Sequence, residues 1–246
     1  RTSVDAARQR RGRPAKSGVP PLDREQVIQA AVEMTSREQS QPLTFRALGR
    51  HLGVDPAALY RYVSSKDELL LAVADGIIGK AVEGFVQTGS WREDLAELLS
   101  RLHWGYLGHP EVAVAAAARI TRLPGEMRFA EIALGLLKEA GLADPEAAVM
   151  YRAVADTVLA WTGFRAGLEL NAAAESDHKA WEEACLEADP VRFPNVARLA
   201  SPLTAVTLQQ GFRQTLDLLL AAVQSRAEEL SGGECPDKGL IVHKLA

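Results

Sequence analysis

Cysteine is nearly missing from this sequence: Cys185 and Cys235 are the only two in 246 residues, and they stand far apart. That count and spacing fit neither a disulfide framework nor a thiolate metal site, and they suit a reducing cytoplasm. The five histidines are scattered and form no ligand pair at helical spacing. Common catalytic signatures are lacking too. There is no H-E-x-x-H, no P-loop, no G-x-S-x-G elbow and no dinucleotide-binding glycine pattern. No apolar run approaches the roughly 20 residues needed to cross a bilayer, and no signal-peptide pattern opens the chain. Alternating strand patterns and β-branched runs are scarce beyond residue 80. These absences argue against an enzyme, a metal site, a bound cofactor or a membrane partner, and they favour an all-α fold.

Charge is present but unevenly spread. The formal net charge is −4, which alone argues against an acidic polymer as partner. Residues 1–66, however, hold 12 Lys/Arg against 6 Asp/Glu, a net of +6, leaving 16 against 26, a net of −10, for the remainder. One end is built to meet phosphates and the rest is not.

The basic end contains the most informative stretch, Leu43 to Leu71. Thr44 is a good N-cap for a helix whose apolar positions Phe45, Leu48 and Leu52 share one face. Gly53 stops that helix, because glycine tolerates the left-handed conformation that satisfies the last carbonyls. Asp55 then caps a second helix with Pro56 at its first position, where a missing N–H does no harm. Its exposed face, over Asp55 to Arg61, carries Ala57, Ala58, Tyr60 and Arg61. Ser65 and Glu68 read as a capping box, each returning a bond to the other, before the apolar run Leu69 to Val73. Three helix starts within about 25 residues spell helix-turn-helix. Before them, Asp23 caps a supporting helix to about Ser36, with Val27, Ala31 and Met34 on one stripe.

The segment from Leu22 to Ile78 resembles the helix-turn-helix domain of TetR-family transcription repressors, on the residues Leu59, Tyr60, Tyr62, Val63, Ser64, Ser65, Lys66 and Leu69. Tyr62 departs from the commoner histidine and Val63 from the commoner phenylalanine. Tyrosine keeps a hydroxyl for a phosphate oxygen, and valine still fills an apolar slot. The resemblance implies an N-terminal DNA-binding domain followed by a helical ligand-binding and dimerisation domain. Its candidate DNA contacts here are Thr44, Arg46, Asp55, Ala57, Ala58, Tyr60, Arg61, Tyr62 and Lys66. Ahead of it, Arg11-Gly12-Arg13-Pro14 resembles an AT-hook, with Arg11 and Arg13 entering the minor groove of A·T-rich DNA. A solvated basic tail is the alternative reading of that arm.

The organisation expected is therefore a basic arm (1–21), a helix-turn-helix domain (22–66), a helical ligand and dimer domain (67–230) and a tail (231–246). Helices are expected over Trp91 to Gly108, Glu111 to Ile120, Glu126 to Ala140, Asp144 to Leu170, and from Pro202 or Thr204 to Leu230. Asp177 to Asp189, with Trp181 among many acids, reads as a lid or a solvated loop-helix. Tyr151, Val154, Val158, Trp161 and Leu168 on one long helix, and Phe212, Leu216, Leu219 and Val223 on the last, keep 3,4 spacing. Each stripe is either internal core or half of a homodimer's four-helix bundle, and the resemblance favours the dimer. It also implies a small-molecule inducer among the middle helices. Candidates to line that pocket are His103, Trp104, Leu107, Arg119, Met127, Phe129, Met150, Tyr151, Trp161 and Phe164, which join bulky apolar bodies to a few polar tips. Each is equally readable as core or surface. The function implied is a cytoplasmic repressor that leaves a pseudo-palindromic operator when the inducer binds. A DNA-binding regulator without an inducer, and an enzyme or carrier using the helical pocket, remain as alternatives.

Overall fold

A computed structural model describes residues 22–39 and 41–231, so the arm with Arg11 and Arg13, and the tail beyond Ser231 with Cys235, lie outside the described residues. Among the described residues every regular element is a helix.

The N-terminal head is built from caps. Helix α1 (Arg24–Met34) opens on a full capping box: the Gln26 N–H donates to Asp23 Oδ1 at 2.8 Å, and the Asp23 N–H donates to Gln26 Oε1 at 3.1 Å. Helix α2 (Phe45–Leu52) starts at Thr44, whose hydroxyl accepts from the Ala47 N–H, and ends at Gly53 with φ of 67°. The regular part of the next helix, α3 (Pro56–Leu59), is a single turn, shorter than the sequence suggested. Tyr60 to Tyr62 continue it as a turn, with the Val63 N–H bonded to the Leu59 carbonyl. Gly49 permits the close crossing of α2 and α3. A Cβ there would lie 2.9 Å from the Val54 carbonyl oxygen and 3.0 Å from Pro56 Cγ.

Helix α4 (Lys66–Val82) runs unbroken from the head into the body. Its Leu69, Val73, Ile77 and Ile78 belong to one continuous core that holds Val27, Ala31, Met34, Leu48 and Leu59 of the head together with the buried residues of the body. The body adds α5 (Trp91–Leu107), α6 (Pro110–Ala116), α7 (Pro124–Glu139), α8 (Asp144–Leu170) and α11 (Leu208–Ser231), with α9 (Ala174–Leu186) and α10 (Pro194–Thr204) between the last two. Leu95, Leu98, Leu99, Leu136, Leu137, Val158 and Val223 are almost wholly buried at its centre, each contributing on the order of 2 kcal/mol of transfer free energy. In contrast, α9 and α10 bury only Cys185 and Ala200.

The final helix differs from the expectation. Rather than one helix from Pro202 or Thr204, there are two, broken at Ala205 to Thr207. Thr207 and Gln210 form a reciprocal box, at 3.1 Å and 2.8 Å, that restarts the chain as α11. The expected Asp177 to Asp189 loop-helix is also regular over most of its length, as α9.

Candidate nucleic-acid interface and ligand cleft

The residues the sequence singled out in the head lie on α2, on α3 with the turn that continues it, and at the start of α4. Arg46, Asp55, Ala57, Tyr60, Arg61 and Lys66 are exposed, while Thr44, Ala58 and Tyr62 are half-buried. Tyr60 is 56% exposed despite stacking on Phe45, with ring centroids 4.3 Å apart. That stack, which no sequence pattern announces, pins its ring to α2. Arg61 reaches back over the Tyr62 ring at 5.7 Å and donates to the Ala58 carbonyl. Asp55 spends an oxygen on the Ala57 N–H at 2.8 Å, and the Thr44 hydroxyl accepts from the Ala47 N–H. Both residues shape the surface through these caps.

Lys66 is the first residue of α4, and its position is set by the cap below it. The Glu68 N–H donates to Ser65 Oγ at 3.0 Å as expected, but the Glu68 carboxylate returns to Ser64, accepting from its N–H at 2.8 Å and its hydroxyl at 2.6 Å. The box is therefore spread over two serines. The Ser64 bonds, followed by the weaker pull of Arg24, hold the Glu68 carboxyl below its ordinary range.

Several contacts tie the head and α4 to the body, among them the Arg37 N–H on the Gly108 carbonyl at 2.7 Å and the Thr35 hydroxyl beside His109 Nδ1 at 3.1 Å. Arg119, expected in a ligand pocket, lies instead on the surface, where its guanidinium makes a two-pronged bond to Asp67 at 2.8 Å on each side. Asp75, midway along α4, accepts from the Gly125 and Glu126 N–H groups at the start of α7, at 2.9 Å and 2.8 Å. Arg37, just past α1, donates to Glu169 of α8 at 2.7 Å and to the Leu107 carbonyl at 3.0 Å.

The other ligand candidates do not converge. His103, Leu107 and Phe129 are buried in core, and Met150 and Tyr151 are half-buried. Trp104 and Met127 are 52% and 63% exposed on the surface. Between α5, α7 and α8, where Phe129 and Tyr151 do meet, only about 10 Å³ is open, room for at most one water. His103 stacks on Phe212 at 3.7 Å and shares a 2.8 Å hydrogen bond with Thr162 Oγ1. Because the Thr162 hydroxyl donates to the Val158 carbonyl, the shared proton belongs to His103 Nδ1. Burial first, and the Arg165 charge second, push its imidazole down to about 4, so it is neutral near pH 7.

The open space lies elsewhere. A cleft of about 720 Å³ is bounded by the end of α8, the start of α9 and the α10–α11 linker, with Phe164 as the one candidate in its wall. A second, of about 640 Å³, lies across that linker and includes Trp161. The Trp161 indole N–H is buried without an acceptor among the described residues, and its ring edge lies 2.9 Å from where a Cβ on Gly211 would be.

Comparison with known proteins gives one answer from both ends of the chain. Residues 27–73 match the model of the tetR family of bacterial regulatory proteins, and residues 85–226 match the tetracyclin repressor-like C-terminal domain. An HTH-type transcriptional regulator of Saccharopolyspora erythraea is 30% identical over 141 residues, covering 57% of this chain and 59% of that protein. The HTH-type transcriptional repressor DrrR1 of Streptomyces coeruleorubidus is 30% identical over 135 residues, covering 54% of this chain and 50% of its own. The chain thus matches only about half the length of these curated relatives. Among solved structures, apo ActR from Streptomyces coelicolor superposes with a TM-score of 0.74 at 26% identity, over 87% of this chain and 100% of that one. ActR has also been solved in complex with actinorhodin, and that structure superposes at 0.72 with 25% identity, over 85% of this chain and 99% of its own. With both of its halves matched, the chain belongs to the TetR family of bacterial regulatory proteins.

Proposed function

We propose that this protein is a ligand-responsive transcriptional repressor that binds a pseudo-palindromic operator as a homodimer and leaves it when a small molecule occupies the C-terminal domain. The observation that carries this reading is the continuity of α4. Its first residue, Lys66, is exposed at the head, and the same unbroken helix is held to the body by Arg119 on Asp67 and by the Gly125 N–H on Asp75. Any shift of α6 or α7 therefore moves the DNA face.

On the operator, α3 enters the major groove. Ala57 and Ala58 are small enough to approach base edges and thymine methyls, while Thr44, Arg46, Tyr60, Arg61, Tyr62 and Lys66 hold the backbone. Asp55 acts through its cap. Arg11 and Arg13 read the flanking minor groove. The dimer is supported by exposed apolar positions on two neighbouring helices, Val149, Ala153 and Ala160 on α8 and Leu218, Ala221 and Ala222 on α11. A two-fold pairing of these faces would cover them and set two heads on successive turns of one DNA face. The complex of ActR with actinorhodin supports the ligand response.

A second reading, a DNA-binding regulator without an inducer, draws on the closed space between α5, α7 and α8. One experiment separates them. The protein is titrated into a labelled duplex from upstream of its own gene, and the complex is challenged with an apolar small-molecule library. A ligand that raises the operator Kd supports the first reading. Operator binding that no bound ligand alters supports the second, because linkage requires differential affinity for two states.

A further inference from the structure

The cleft at the end of α8 has a chemistry of its own. Phe164, Leu168 and Val206 give it apolar walls, and Phe164 is 56% exposed there. About 720 Å³ suits a drug-sized molecule. Its rim is acidic, with Glu169, Glu175, Asp177 and Glu182 against Arg165 as the lining Lys or Arg. Glu169 takes Arg37 at 2.7 Å and Arg165 at 3.8 Å, and Glu182 takes His178 at 3.2 Å. No ion pair or side-chain hydrogen bond engages the carboxylates of Glu175 and Asp177 among the described residues. An anion entering here would meet a net negative rim. A cation with a flat apolar body would meet carboxylates at its charge and an aromatic face at its body.

We propose that this cleft is the ligand site, that it takes an amphipathic cation, and that the ligand acts on the head by competing with Arg37 for Glu169. The proposal rests on the ligand-responsive reading above and gives it a location and a chemistry. Glu169 is the one rim carboxylate that a head residue already holds. Arg37 follows α1 and also donates to the Leu107 carbonyl at 3.0 Å, so it fastens the head to the α5 and α8 ends of the body. When a bound cation takes Glu169, that fastening loses its one ion pair and keeps only the bonds of Arg37 to the Leu107 and Gly108 carbonyls. Ligand and docked head thus exclude each other at one carboxylate, which is the differential affinity that coupling requires.

The test uses the full chain, two planar dyes of opposite charge and fluorescence anisotropy. Safranin, a cation, should bind at least tenfold more tightly than fluorescein, an anion. E175Q/D177N should weaken safranin at least tenfold, and R37A should tighten it severalfold by freeing Glu169. Equal binding of the two dyes, indifference of safranin to E175Q/D177N, or no tightening in R37A would overturn the proposal. So would dissociation of the dimer in E175Q/D177N on sedimentation, since the cleft would then be covered by a second copy. Operator affinity is measured separately, with a protein-free duplex control for dye binding to DNA. If the dye results hold while operator affinity stays unchanged, the cleft stands as a cation site and the ligand-responsive reading fails. If another ligand releases DNA equally from wild type and E175Q/D177N, the cleft proposal fails and that reading stands.

Discussion

Arg119, in the turn that follows α6, donates two guanidinium nitrogens to the two carboxylate oxygens of Asp67 in the first turn of α4, each at 2.8 Å. The hydrogen bond and charge of Arg119 hold the Asp67 carboxyl below its ordinary range. An exposed pair of this kind adds little to stability, but its planar, two-pronged geometry fixes direction. Asp67 is the neighbour of Lys66, so the body sets the aim of the proposed phosphate contact.

The first prediction follows from that geometry. Arg119→Ala should leave the melting temperature nearly unchanged and weaken operator binding severalfold. The charge-reversed pair R119D/D67R should recover most of the loss, because it restores the link with its polarity exchanged. Failure of the pair to recover any affinity would show that Arg119 acts by some other route.

Burial of His103 predicts a pH dependence. Its folded value of about 4 lies below the unfolded value of about 6.5, so the unfolded chain binds the extra proton between those limits. Its contribution to stability is fully present above pH 6.5 and is lost as pH falls toward 4. By pH 5 the loss should be about 2 kcal/mol relative to pH 7.5. Urea unfolding of wild type and His103→Phe across this range measures it. The variant, less stable at pH 7.5 for want of the Thr162 bond, should lack that part of the slope.

The dimer is tested on its proposed face. Leu218 is 62% exposed on α11, and Leu218→Arg would set two charges near the two-fold axis if that face pairs. Sedimentation should show monomers at micromolar concentration, with the helical content of wild type retained. An unchanged dimer would move the interface elsewhere.

Much of the head is legible in the sequence because its signals are local. Asp23, Thr44, Asp55-Pro56 and Ser65 each bond a backbone N–H two or three residues away, and such bonds are written in the order of residues. The return bond of Glu68 falls one position from its expected partner, since Ser64 and Ser65 are equivalent in sequence and only the path of the chain into α4 decides between them. The break before α11 is hidden for a different reason. Thr204 to Leu208 contains neither glycine nor proline, and the box between Thr207 and Gln210 sits inside a pattern that also reads as helix.

The ligand region is the least legible. Arg119 finds Asp67 across 52 positions of sequence, and nothing in its surroundings distinguishes a pocket arginine from one that bridges two helices. Phe129 and Phe164 look alike as aromatic residues on helices, yet one is buried in core and the other stands in a cleft. Packing between helices, which spacing does not fix, decides each case.

The most direct measurement is the salt dependence of binding to the duplex upstream of the protein's own gene, for wild type and Lys66→Ala. Wild type should bind that duplex far more tightly than a scrambled one, with log K falling linearly against log salt concentration. Lys66→Ala should weaken both duplexes alike and reduce the slope by about 0.9 for each phosphate that a subunit no longer neutralises. Binding that is indifferent to salt, or a variant that keeps the wild-type slope, would contradict the placement of Lys66 and α3 on DNA.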